Sequence, residues 1–178
     1  LWRRGYLYEG EVMQSAVFRV DHNYINTLEM NLVAGRDFDP LLSSDSTASI
    51  IVNESFIRTH GLELSDIGNS FPIDWGWMVN PKIIGVVQDF NYQSLNNTVE
   101  PVMIYMNPRD PILNMMVRVS PENIPKTVNK LKENWTNVTS DVPFSYSFLD
   151  EDMDNLYRSE QRWSKIVSYS SLLAIVIA

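Results

Sequence analysis

Cysteine is absent from this chain, which excludes disulfides, thiolate metal sites and a cysteine nucleophile. Histidine is nearly absent: His22 and His60 are the only two in 178 residues. Neither has an acidic or histidine partner at a metal-binding spacing such as HExxH. Both read as surface or helix-capping residues. There is no glycine loop able to cradle a phosphate, no GxSxG turn and no pair of carboxylates placed for acid–base work. Basic runs are missing as well. Nothing exceeds Arg3-Arg4, and the net charge of −8 with a pI near 4.7 argues against a nucleic-acid partner. The first ten residues hold Trp2, Arg3, Arg4 and Glu9 and lack the apolar core of a signal peptide, so delivery outside the cytoplasm would require an upstream membrane helix. The expectation is a protein with no cofactor, no resident metal and no catalysis.

What is present is a chain that is 44% hydrophobic, enough for one domain or two small subdomains with a real core. Residues 12–20 alternate loosely and read as a strand. Asp21 caps a short helix over 22–28. Residues 32–38 read as a short strand and turn, and 40–47 as a polar linker and candidate boundary. Residues 49–52 form a strand, after which Asn53 caps a helix over 54–60 that Gly61 stops. Strand signals recur at 70–75, 82–90 and 102–106, separated by Pro and Asn clusters. Met115, Val117 and Val119 alternate as a strand. Ser120-Pro121-Glu122 starts a helix, with Ile124, Val128, Leu131 and Trp135 at helical spacing. Phe144, Tyr146 and Phe148 alternate before a last helix. The final seventy residues thus read β-α-β-α, and the middle sixty as strand-rich.

The last thirty residues carry the clearest signal. No Gly or Pro occurs from Asp150 to Ala178, and no charge follows Lys165. The acidic cluster Asp150, Glu151, Asp152 and Asp154 lacks the calcium-loop pattern and suits the positive end of a helix dipole. Leu149, Met153, Leu156, Glu160, Trp163 and Val167 recur at 4-3-4-3-4 spacing, a seam able to pack on a neighbouring helix or on the domain's own sheet. The apolar run 166–178 would span roughly 20 Å as a helix, against about 30 Å of hydrocarbon. That is the length of the first half of a membrane span; the alternative is a buried C-terminal helix.

One surface candidate stands apart. Trp75, Trp77 and Met78 surround Gly76 in a stretch bounded by Pro72 and Pro81. These residues either form an exposed tip for a partner contact or cap a small core of their own.

Several stretches together resemble one family. Val20-Asp21-His22-Asn23-Tyr24-Ile25, Thr27-Leu28-Glu29-Met30 and Ala34-Gly35-Arg36-Asp37-Phe38 are similar to a run in MacB-like periplasmic domains. Ile51-Val52-Asn53-Glu54-Ser55-Phe56 matches an IVNE-[ST]-F element. Ile83-Ile84-Gly85-Val86-Val87-Gln88-Asp89-Phe90 matches an I-x-GVV-x-DF element. Tyr157-Arg158-Ser159-Glu160-Gln161-Arg162 is similar to a Y-x-x-E-x-R element that precedes a membrane helix. The whole resembles FtsX/MacB-type ABC transporter permeases of the Bacteroides group.

The resemblance implies an α+β fold: a porter-like βαβ subdomain (1–47 and 108–165) interrupted by a strand-rich, sabre-like insertion (48–107). Residues 166–178 would begin a transmembrane helix. It implies a noncatalytic periplasmic domain of an inner-membrane protein, coupled through membrane helices to a cytoplasmic ATPase and paired with a second permease copy or a partner permease. A periplasmic protein partner is also implied. Family members usually carry a further strand and helix before the point where this sequence starts. Met153, Leu156, Glu160, Trp163 and Val167 would lie on the transmission helix, and Arg36 is expected to be structural, its five donors tying nearby carbonyls or carboxylates. The alternative, from another class, is an extracytoplasmic ligand- or protein-binding module.

Overall fold

A computed structural model describes residues 2–93, 98–107, 109, 113–139 and 141–152. Among them the chain forms two compact units, Leu1–Phe90 with Val99–Arg118, and Asn91–Thr98 with Val119–Ala178. The class is α+β, as the resemblance implied.

The first unit is built on a six-stranded mixed sheet in the order β1-β2-β6-β4-β5-β3. Strands β1 (Trp2–Tyr8) and β2 (Glu11–Val20) form an antiparallel hairpin. Its two-residue loop, Glu9 and Gly10, has φ values of 49° and 87°, the positive pair that matches strand twist in a tight hairpin. β2 runs parallel to β6 (Val102–Met106), which is antiparallel to β4 (Ser49–Asn53). β4 runs parallel to β5 (Lys82–Val87), which is antiparallel to β3 (Leu32–Gly35). Central strands β4 and β6 are buried at every position, which explains their unbroken apolar sequence.

Two glycines set how closely β3 approaches β5. Gly35 and Gly85 pair directly. A Cβ on Gly35 would lie 2.3 Å from the Ile84 carbonyl oxygen, and one on Gly85 would lie 2.5 Å from that of Arg36. Gly35 also has φ 79°, so any side chain there meets both strain and a clash.

One face of the sheet carries the main core. Helix α2 (Glu54–Thr59) and the segment 62–78 lie over it, bringing Phe56, Ile57, Phe71, Ile73 and Met78 against Val17, Ile50, Val52, Ile83, Val86 and Met103. The short helix α1 (Tyr24–Thr27) contributes buried Ile25. In the second unit, α3 (Ile124–Val138) has Ile124, Val128, Leu131 and Trp135 half-buried and no fully buried residue. The Trp135 indole donates to the Val142 carbonyl at 2.8 Å, and Phe144, Tyr146 and Phe148 follow as successive ring contacts of 5.7 and 5.6 Å.

Several expectations need correction. The sheet does not divide at 47/48: β4, β5 and β6, expected in an insertion, hydrogen-bond to β2 and β3 from the flanking segment. Nor is 40–47 a linker. Asp45 is fully buried within it and accepts from Arg36, the Asp39 amide and Ser49. Residues 70–75 make only isolated bridges. Pro72 has no N–H for a ladder, yet Phe71 and Ile73 point inward at 2% exposure each, so the period of two survives as an extended strap. Residues 115–119 and 144–148 form no strand pairing among the described residues. The helix begins after Asn123, which adopts the left-handed conformation, rather than at Ser120-Pro121-Glu122. β1 is a strand the sequence reading missed.

Among the described residues no helix is long and apolar enough to cross a membrane. A last helix begins at residue 149, where the Asp152 amide bonds to the Phe148 carbonyl at 3.0 Å and Ser147 donates to the Asp152 carboxylate at 2.7 Å. Met153, Leu156, Glu160, Trp163, Val167 and the run 166–178 lie outside the described residues.

Candidate partner-contact surface

The Trp75–Met78 tip is a tight turn closed from both sides. Asp74 bridges Val79, the Trp75 amide reaches the Met78 carbonyl at 3.1 Å, and the Asp74 carboxylate accepts from the Gly76 amide at 2.7 Å. Gly76 has φ 77°, a conformation glycine adopts without strain. The turn sends its side chains in different directions. Met78 is 1% exposed inside the core, so it is not a contact residue; the core-capping alternative holds for it. Trp75 packs against that core with its indole nitrogen buried and without an acceptor among the described residues. Trp77 is 36% exposed and rests on Tyr105, with ring centroids 4.8 Å apart.

Sequence reasoning missed the fourth member. The Arg4 guanidinium lies 5.5 Å from the Trp75 ring centroid and 5.9 Å from that of Trp77, a double cation–π contact. Only the β1–β2 pairing brings residue 4 to residue 75, and β1 had no readable strand signal. Trp2, 73% exposed, points to the same face of β1 as Arg4.

The residues that carried the family resemblance have structural tasks. Asn53 uses its whole hydrogen-bonding capacity while fully buried. Its Oδ1 accepts from the amides of Phe56 (3.0 Å) and Val102 (2.8 Å), and its Nδ2 donates to Asp89 (2.9 Å) and the Glu100 carbonyl (3.0 Å). Asp89 in turn accepts from the Ser55 amide and Arg58, while Glu54 accepts from the Asp89 amide. This knot fastens the start of α2 to the ends of β4 and β5. Arg36 behaves as expected, donating to the Asp37 carbonyl and, with both terminal nitrogens, to Asp45. The hydrogen bond from Arg36 is the main reason the Asp45 carboxyl titrates below its ordinary range.

His60 closes α2 but is buried rather than superficial. It is 6% exposed, with Nδ1 against the Phe56 carbonyl and Nε2 at 2.8 Å from the Tyr6 hydroxyl, which lies 2.6 Å from Ser15 Oγ. Burial pushes the Tyr6 phenol up to about 12 and the imidazole down. Serine, tyrosine and histidine in a row suggest nucleophilic chemistry, but Ser15 is 2% exposed and Tyr6 6%. Both hydroxyls are buried, and the chain of bonds ties the hairpin to α2. His22 pairs with the Asn23 amide at the surface. Among the described residues no three His, Asp or Glu side chains come together as a metal site.

The sequence matches no family model and no curated protein. The fold is nonetheless found in solved structures. It is similar to the periplasmic region of MacB from Actinobacillus actinomycetemcomitans (TM-score 0.53, 16% identity, 76% of this chain covered). This chain spans 64% of that region's length. It is similar also to a domain provisionally described as part of a permease protein from Porphyromonas gingivalis (TM-score 0.54, 16% identity, 83% of this chain and 75% of the other). The fold class is therefore that of a MacB-like periplasmic domain.

Proposed function

We propose that this chain is the noncatalytic periplasmic domain of an ABC transporter permease in an inner membrane, coupling cytoplasmic ATP hydrolysis to export or to a periplasmic protein partner by mechanical transmission. The observation that carries the reading is the likeness of fold to the MacB periplasmic region across 76% of the chain. The buried Ser15–Tyr6–His60 chain has a structural role within this domain, holding the β1–β2 hairpin to α2. In this reading the ATPase acts indirectly through membrane helices, and a second permease copy or a partner permease completes the assembly. In the same reading Met153, Leu156, Glu160, Trp163 and Val167 would lie on the element that carries the motion, since the sequence predicts an uninterrupted helix there and such a helix moves as a rigid body.

A second reading, a binding module outside the cytoplasm without a transport role, is favoured by one observation: the Arg4–Trp77 surface. The two are separated by the gene sequence on either side of this segment together with reporter fusions placed within it. Three further apolar helices downstream and an extracytoplasmic reporter signal support the permease. A stop codon directly after Ala178, or a cytoplasmic signal, contradicts it.

A further inference from the structure

We propose that Arg4, Trp75 and Trp77, with Trp2 beside Arg4 on the same face of β1, form a docking surface for an acidic peptide segment of a partner protein. A carboxylate would seat on Arg4 and its apolar neighbour on Trp77. The inference concerns the first unit alone and does not depend on the permease reading.

The contrast among the arginines carries it. Arg3 holds Glu100, Arg36 holds Asp45, Arg58 holds Asp89 and Arg118 holds Glu29. Arg4 is exposed and makes no ion pair among the described residues; its guanidinium lies over two indoles instead. A cation–π contact makes no hydrogen bond to the guanidinium N–H groups, so these donors remain available for a planar acceptor. The stack also fixes a side chain that would otherwise lose entropy on binding. Trp and Arg are among the residue types that dominate binding energy at protein interfaces, and this cluster joins the two. Trp77 and Trp2 supply accessible apolar surface beside the charge, at 36% and 73% exposure.

Charge selects the class of partner. An anionic membrane surface is recognised by clusters of several Lys and Arg. Here the neighbouring Arg3 is already neutralised by Glu100, so the two adjacent arginines do not act together as a basic cluster. A single open guanidinium framed by aromatics suits one carboxylate next to an apolar side chain.

The test is selection from a displayed random-peptide library on the intact domain, followed by titration of a resynthesised peptide while the Trp75 and Trp77 indole N–H signals are recorded. Enriched peptides are expected to place Asp or Glu beside an aliphatic or aromatic residue. The Arg4→Gln and Trp77→Ala variants should each weaken binding roughly tenfold or more, the loss expected for one charge-assisted pair or one buried anchor. Arg4→Lys should fall between Arg4→Gln and the parent. Thermal melting of each variant checks that the fold is kept. Peptides without an acid, equal binding of the Asn or Gln isostere, or equal binding by Arg4→Gln would each overturn the proposal. So would Arg4-dependent binding to phosphatidylglycerol vesicles with no peptide enriched.

Discussion

Strands β4 and β6 are buried at every position, whereas α3 has no buried residue at all. β4 and β6 are apolar nearly throughout and α3 along one stripe only, and their neighbours differ as well. β4 and β6 each have a strand on either side and α2 packed nearby. α3 presents one half-buried stripe, fastened mainly by Trp135 to the segment after it. Periodicity in sequence shows which side of an element is apolar; it does not show how many layers cover it. Stability in this protein should therefore be concentrated in the sheet.

The largest expected effect comes from Phe56→Ala. Phe56 is fully buried, stacked on His60 at 4.1 Å and edge-on to Phe71 at 4.9 Å, so truncation should cost about 3–5 kcal/mol in urea unfolding. A loss under about 1 kcal/mol would show that the sheet core is not where stability resides.

Next is Arg36→Ala, which strands the fully buried Asp45 carboxylate. It should cost about 2–3 kcal/mol, since half of the arginine already lies in water and only one charge is left uncompensated. The same pair predicts acid sensitivity. Because the Asp45 pKa is depressed in the folded state, its contribution is complete above the unfolded value near 3.9 and is lost as pH falls below it. Arg36→Ala should flatten the stability curve in that window; an unchanged curve would contradict the assignment.

A smaller effect belongs to His60, whose pKa is lowered by burial. The folded imidazole stays neutral where the unfolded one, near 6.5, takes up a proton. Stability from this group is therefore complete above about 6.5 and declines as pH falls toward the folded value. The melting temperature should drop between pH 7 and 5 in the parent, and His60→Gln should remove most of that slope. The smallest effect is Leu131→Ala on α3, which should cost less than about 1.5 kcal/mol because the side chain is only half-buried. A loss matching that of Phe56→Ala would erase the contrast between the regions.

Much of the sheet was legible in the sequence. β2, β4, β5, β6 and the Asn53 cap follow from alternation, apolar runs and capping chemistry. β1 was not, because Arg3, Arg4 and Gly5 break its alternation and Glu9-Gly10 is an uncommon sequence for a two-residue turn. With β1 hidden, so was Arg4 beside the tryptophans. The polar stretch 40–47 looked like a linker because the partner that buries Asp45 lies nine residues back in sequence. The 70–75 and 144–148 segments show the reverse error: alternation places side chains on two faces whether or not a neighbouring strand is present to pair.

The proposed transmission runs through a helix that begins at residue 149 and that the sequence predicts to continue past residue 160; Glu160→Pro in the proposed full-length permease tests it most directly. No Gly or Pro interrupts residues 150–178, so a proline at 160 would break the helix expected from the sequence, at a local cost of roughly 3 kcal/mol. Transport, or activation of a periplasmic partner, should be lost while membrane insertion and ATP binding by the ATPase persist. A variant that is stable, inserted and fully active would contradict the account.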